Sequence, residues 1–197
     1  MPNFQEPYNQ LSEHDEKKLE WLVSQVNNGF MCEVGCWTGH STSIIGKRAK
    51  ELDVTLIVID SFKGNIGTPL SEFAIDHNVR EMFVDNMNAL GLFDNICLFS
   101  MDSLEASKFV KDKSLSFLFI DANHHYPYVA SDLEHYLPKM KDGGIICGHD
   151  YESETYDDEH IFEDYVDGKH HGVIKAVNEV FGKVEHEGRM WWVKLKN

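Results

Sequence analysis

Basic residues are scarce in this chain: 18 Lys and Arg stand against 33 Asp and Glu in 197 residues, a formal charge of −15. A general nucleic-acid binder, or a protein that lies on an anionic membrane, needs clustered Lys and Arg to meet phosphates, so neither partner is expected. Long apolar runs are missing too. None approaches the roughly 18 residues that a spanning helix requires, and the polar start MPNFQEPYNQ has no signal-peptide core. The four cysteines, Cys32, Cys36, Cys97 and Cys147, include no Cys-x-x-Cys pair. A zinc ribbon or redox pair therefore has no support, and reduced, buried thiols are expected. Also absent are G-x-G-x-x-G, the dinucleotide fingerprint, and G-x-x-x-x-G-K-[ST], the phosphate loop. These absences leave a cytoplasmic, enzyme-sized domain as the expectation.

What is present is alternation. Continuous apolar runs of strand length occupy 30–35 (FMCEVG), 54–60 (VTLIVID), 95–100 (NICLFS), 115–121 (LSFLFID) and 144–150 (GIICGHD). Runs without in–out alternation suit strands covered on both faces. Helix-periodic stretches at 16–26, 41–52, 78–90, 128–140 and 173–181 separate them, and 183–195 reads as a hairpin about Glu187-Gly188. The pattern predicts a doubly wound, Rossmann-like, mostly parallel α/β sheet with helices on both faces and a C-terminal antiparallel hairpin. One domain over 1–197 is expected, with an N-terminal helical extension at 1–28 and a lid loop at 151–172. A second irregular stretch, 61–77, also leaves the carboxyl edge of the sheet.

Ligands on such sheets bind beyond the carboxyl ends of the strands, so the residues there carry the argument. The first strand runs into Glu33-Val34-Gly35-Cys36-Trp37-Thr38-Gly39-His40-Ser41, a glycine turn that delivers the chain to a helix amino end suited to an anion. The second ends at Asp60-Ser61, where an acid can accept from ribose hydroxyls. The third ends at Asp102-Ser103, facing an adenine or capping the next helix. The fourth ends at Asp121 and the fifth at His149-Asp150. Acids at four successive strand ends suit a ligand with ribose, base and a group for a helix amino end, but no pyrophosphate. S-adenosylmethionine has those parts.

EVGCWTGHST, VIDSFKG, MDSLEAS and FLFIDANHHYPYVASDLEHYLPKMKDGGIICGHDY resemble class I S-adenosylmethionine-dependent methyltransferases. The similar branch is the small-molecule O-methyltransferases, with macrocin-type and cephalosporin-hydroxylase-like relatives. The resemblance implies that Glu33, Gly35, Trp37, Gly39, Ser41, Asp60, Ser61, Asp102, Ser103 and Asp121 bind the cofactor. It also implies a small-molecule hydroxyl acceptor of sugar or phenol type. In the metal-dependent branch, acids at the fourth and fifth strand ends bind magnesium, which implies a divalent site at Asp121, His149 and Asp150. Imidazole in that set shifts preference from Mg²⁺ toward Mn²⁺, Fe²⁺ or Zn²⁺. Asn123 stands where an acid is common, and an amide cannot take a proton. Catalytic roles then fall to Asp121 and to His124 or His149 as base, while His125, His170 and His171 are expected to be exposed or lid residues.

Rival readings are a metal-dependent hydroxylase built on His124, His149 and an Asp, and a non-catalytic S-adenosylmethionine-binding protein. A nicotinamide oxidoreductase lacks its fingerprint here. A homodimer through the apolar N-terminal helix is expected. About half of the negative excess lies in 151–168, which holds eight acids and no Lys or Arg. That favours a cationic acceptor or a metal and disfavours a phosphorylated acceptor.

Overall fold

The computed structural model describes residues 11–65 and 67–196, so the first ten residues of the expected extension lie outside the described residues. Seven strands form one sheet: β1 (Phe30–Val34), β2 (Leu56–Ile59), β3 (Ile96–Phe99), β4 (Leu115–Ile120), β5 (Met140–Gly148), β6 (Glu185–Glu187) and β7 (Met190–Lys194). Their order is β3-β2-β1-β4-β5-β7-β6. The first five are parallel, and β7 runs antiparallel to both β5 and β6.

Strand β4 explains why the runs carry no alternation. Phe117 and Phe119 enter one core with Leu19, Ile45 and Phe83, whereas Leu118 and Ile120 enter another with Tyr136, Ile146 and Val177. Both faces are covered, so Phe117 to Ile120 are all apolar, and the one polar residue, Ser116, donates its hydroxyl to the Phe30 carbonyl at 3.0 Å. Helices α1 (Glu13–Ser24), α2 (His40–Glu51) and α4 (Val79–Ala89) supply the first layer, while α5 (Ser103–Ser107), α6 (Tyr126–Tyr136) and α7 (His171–Phe181) supply the second. Strand β3 is the sheet edge, which leaves Cys97 exposed while Cys32, Cys36 and Cys147 are buried. The thiol expectation therefore fails at Cys97.

Boundaries moved where local chemistry outweighs periodicity. Helix α1 starts three residues before the periodic stretch, because Ser12 and Asp15 form a capping box. Helix α6 starts at Tyr126 with Pro127 in its first turn, where a missing N–H costs nothing. The stretch 61–77 contains a helix, α3 (Pro69–Asp76), also opened by proline; it fully buries no residue, and its short stripe of Leu70, Phe73 and Ala74 packs only partly buried against the core. Residues 151–170 form an irregular segment whose only strand-like contact among the described residues is the Val166–Lys169 bridge.

Candidate functional site

Strand β1 pairs with β2 on one side and β4 on the other, so successive connections leave in opposite directions at its carboxyl end. A cavity of about 660 Å³ opens there. Gly35 makes the divergence possible. Its φ is +87°, and an added Cβ would lie 2.0 Å from the carbonyl oxygen of Asp121. Asp121 in turn donates its backbone N–H to Val34 at 2.9 Å.

Asp60 shapes the same turn. Its Oδ2 accepts the backbone N–H groups of Cys36 and Trp37, both at 2.8 Å, and its Oδ1 accepts that of Phe62 at 2.7 Å. Trp37 is held at φ +47°, a left-handed conformation that this clamp supports. Gly35, Trp37, Ser41, Asp60, Ser61, Asp102, Ser103 and Asp121 all line the cavity. Glu33 and Gly39 are not among its lining residues. Glu33 is fully buried, accepting from the hydroxyls of Ser41 and Thr42, and burial among Asp121 and Asp60 pushes its carboxyl up to about 8. Gly39 instead lets the first turn of α2 approach Phe83 and Met87, 3.0 and 2.7 Å from where a Cβ would stand.

Asp102 also caps α5, accepting from the Leu104 N–H at 3.0 Å. The Ser103 hydroxyl donates to Asp132 at 2.5 Å. Asp132 lines this end of the cavity, and burial raises its carboxyl to about 7.

The opposite end is a lattice of imidazoles and carboxylates. His124 lies between Asp150 Oδ2, 2.9 Å from its Nε2, and Asp164 Oδ1, 2.8 Å from its Nδ1. His149 has Nδ1 3.2 Å from Asp150 Oδ1 and Nε2 3.3 Å from Asp15 Oδ2. Burial opposes charge on both rings, yet the acids prevail: Asp150, Asp121 and Asp164 hold His124 well above the usual imidazole range. Asp150 and Asp15 raise His149 to about 10. Asp150 is buried at φ +64° and also binds the Arg189 guanidinium through Oδ1; despite burial, His124 and His149 hold its carboxyl far below the carboxylate range.

This geometry argues against the base role expected of His124 or His149. An imidazole with a proton on each nitrogen has no lone pair to offer. Asp121 differs. Its nearest imidazole nitrogens stand 3.8 and 4.0 Å away, too far for a hydrogen bond, and it lines the cavity. Asn123 is not idle: its side-chain oxygen accepts the His125 N–H at 2.9 Å, turning the chain into α6.

The cation site expected at Asp121, His149 and Asp150 is rearranged. Among the described residues three sets have ligand atoms within 4.8 Å of one another: His124, Asp164 and His170; Asp150, Glu152 and His170; and, nearest the expected place, Asp121, His124 and Asp150. Two carboxylate oxygens and one imidazole nitrogen suit a divalent ion, so the residues fit such a group.

Several members of this lattice left no readable sign in the sequence. Asp15 reads as a capping residue of α1, and only the fold brings it to His149. Arg189 belongs to the β6–β7 turn, whose backbone pairs with Tyr151 at 3.0 Å. His170 and His171, expected as exposed or lid residues, stand at the end of the acidic loop and are buried; His170 Nδ1 lies 2.7 Å from Glu152, and His171 Nδ1 accepts the Asp157 N–H at 2.8 Å. The acidic loop is likewise less bare than its composition. Of its eight acids, Glu152, Glu154, Asp158, Glu163 and Asp164 have a cationic side chain or imidazole within 4 Å. Those partners are His124 of the β4–α6 turn, Lys175 of α7, Lys183 after it, and His160 and His170 of the loop itself.

Residues 32–151 match the profile of a methyltransferase domain family. Among curated proteins no sequence matches. Solved structures share the fold. An O-methyltransferase described as putative, from Klebsiella pneumoniae, superposes with a TM-score of 0.69 at 15% identity, covering 97% of this chain and 84% of its own. The O-methyltransferase TomG from Streptomyces achromogenes, in complex with S-adenosylmethionine, gives 0.67 at 14% identity, covering 97% and 83%. An O-methyltransferase from Bacillus cereus, in complex with S-adenosylhomocysteine, gives 0.63 at 19% identity, covering 95% and 84%.

Proposed function

The chain belongs to the methyltransferase domain family, and from that membership we propose that it moves the methyl group of S-adenosylmethionine to a hydroxyl oxygen of a small molecule. The observation that carries this reading is the cavity at the β1/β4 divergence. Its volume of about 660 Å³ lies within the range of small-ligand sites. The glycine turn, Asp60, Asp102 and Ser103 form one end, and Asp121 with its flanking imidazoles the other.

The cofactor carries the reactive group, so the protein's work is alignment and charge. The turn at Gly35–Trp37, clamped by Asp60, lets backbone close on the cofactor. Asp102 and Ser103 meet the adenine, with Asp132 behind Ser103. The acceptor hydroxyl donates to Asp121, which fixes its lone pair toward the methyl carbon. As the O–CH3 bond forms, the S–CH3 bond breaks and its electron pair stays on sulfur as the thioether. The hydroxyl proton passes to Asp121. The positive edges of His124 and His149 favour the oxygen's developing negative charge. A divalent ion, when bound by Asp121 and Asp150 with an imidazole, adds Lewis-acid lowering of the hydroxyl pKa.

The hydroxylase alternative finds no favouring observation, since its histidines are each paired with acids on both sides of the ring. Titration calorimetry of the purified chain tests the reading. S-adenosylmethionine and S-adenosylhomocysteine should bind and NADH should not; NADH binding without either adenosyl ligand would sink it.

A further inference from the structure

We propose that Asp132 is a positioning residue of the adenine end: by taking the hydroxyl proton of Ser103 it leaves Ser103 an acceptor only, so that the cavity selects a purine bearing a 6-amino group. The inference deepens the methyl-transfer reading and rests on it for which end of the cavity the purine occupies.

Asp132 is a buried acid that the methyl-transfer step does not use. It lies on α6, 3% exposed, and still lines the cavity. Tyr128 lines the same cavity one helical turn earlier, so α6 turns this face to the ligand space. Among the described residues the one hydrogen-bond partner of the Asp132 carboxylate is the Ser103 hydroxyl, at 2.5 Å. Ser103 is fixed from a second side, because the Tyr136 hydroxyl donates to its backbone carbonyl at 2.7 Å. Helix α6 therefore holds both the main chain and the hydroxyl of Ser103.

A serine hydroxyl offers one proton and two lone pairs, and a carboxylate offers lone pairs alone. With its proton given to Asp132, Ser103 has only lone pairs left for the cavity. Asp102 beside it is a carboxylate whose Oδ1 already accepts the Leu104 N–H. This wall of the cavity is thus all acceptor. The ring nitrogens of an adenine are acceptors too, and its 6-amino group supplies the only N–H donors. That group alone can meet the wall; a purine without it leaves the wall unpaired, which is how a polar site rejects an analogue. Protonation of Asp132 reverses the polarity. Its O–H then turns to the Ser103 oxygen, and the Ser103 proton is released toward the cavity, where it opposes the amino group. Burial lifts the Asp132 carboxyl to about 7; the Ser103 hydroxyl lowers it, Asp102 adds repulsion and His135 of α6 opposes that. Cys32 of β1 and Tyr136 of α6 also act on this site, and burial pushes both upward, so neither gains charge over the range in which Asp132 does.

The test is calorimetry on the full-length chain with S-adenosylhomocysteine and with the same thioether built on purine riboside, which lacks only the amino group. Near pH 8 the amino compound should bind about 10-fold more tightly, the worth of one hydrogen bond. Near pH 5.5 the two should come within about twofold of each other, because the Ser103 proton then faces the amino group. Asp132→Asn keeps an oxygen for Ser103 and cannot ionise, so it should hold the pH 8 ratio at both pH values. Ser103→Ala should remove the preference at both. Glu33, raised to about 8, titrates over a similar range, but it is buried against Ser41 and Thr42 and acts on both ligands alike. A variant that merely loosens the fold also weakens both ligands alike, so a purely structural role leaves the ratio unmoved. Equal affinities in the native chain near pH 8, a native ratio that ignores pH, a pH dependence that persists in Asp132→Asn, or a preference that survives Ser103→Ala would each overturn the proposal with cofactor binding intact. Failure of the native chain to bind S-adenosylhomocysteine at all would defeat the methyl-transfer reading, and the inference with it.

Discussion

Asp132 shows how one buried acid sets a pH dependence. Its carboxyl rises from 3.8 to about 7, chiefly by burial, with the Ser103 hydroxyl as its hydrogen-bond donor. A raised acid binds its proton more tightly in the folded chain than in the unfolded one. Stability is therefore full below about pH 4, declines as pH climbs toward about 7, and stays low above it. The total loss from this residue is of order 4 kcal/mol. Asp132→Asn keeps an oxygen for Ser103 and cannot ionise. It should raise the cofactor-free melting temperature by several degrees at about pH 8, while the gain shrinks or vanishes near pH 4. An equal change at both pH values would remove the ionisation argument. Glu33, raised to about 8 by burial, adds a similar slope that the variant leaves in place. Neither shift was legible in the sequence, because burial of an acid depends on what packs over it. Asp60 was legible as a pocket residue, though not as a clamp that accepts three backbone N–H groups.

At the scale of elements, what could be read was what repeats. The five parallel strands and their covering helices follow from apolar periodicity, and the hairpin from Glu187-Gly188, with Gly188 at φ +60°. Helix α3 escaped because it fully buries no residue, while α5, only five residues long, was legible through its capping Asp102 alone. The acidic loop was legible as a loop but not as a fastened one. Lys175 of α7 lies 2.9 Å from Asp158 in the loop and 3.1 Å from Glu179 on its own helix, over the rings of Tyr126 and Tyr156. Each exposed pair contributes little by itself; the loop is held by several together. Lys175→Met should leave overall melting within a degree or two and speed Glu-specific proteolysis at Glu154 and Glu159 several-fold. Cleavage at the native rate would show that the loop is held by Asp164 and Glu152 without help from α7.

Across the whole molecule the local pairing and the net charge pull in opposite directions. The chain carries −15, spread over a body with a radius of gyration of about 16 Å. At about 20 mM salt the screening length is of order 20 Å, so every surplus acid feels the others; at about 300 mM it falls to about 6 Å. Screening relieves the self-repulsion that destabilises a strongly charged fold. It also weakens the exposed pairs that fasten the acidic loop, among them Asp158–Lys175 and Glu154–Lys183. Those pairs are few and individually weak, while the surplus is fifteen charges, so the global term should win for the fold and the local term for the loop. Raising NaCl from about 20 to about 300 mM should therefore raise the melting temperature by a few degrees. Over the same range, proteolysis within 153–163 of the folded protein should accelerate. A melting temperature that falls together with loop protection would mean that the ion pairs, and not the surplus acidity, dominate the electrostatics of this fold.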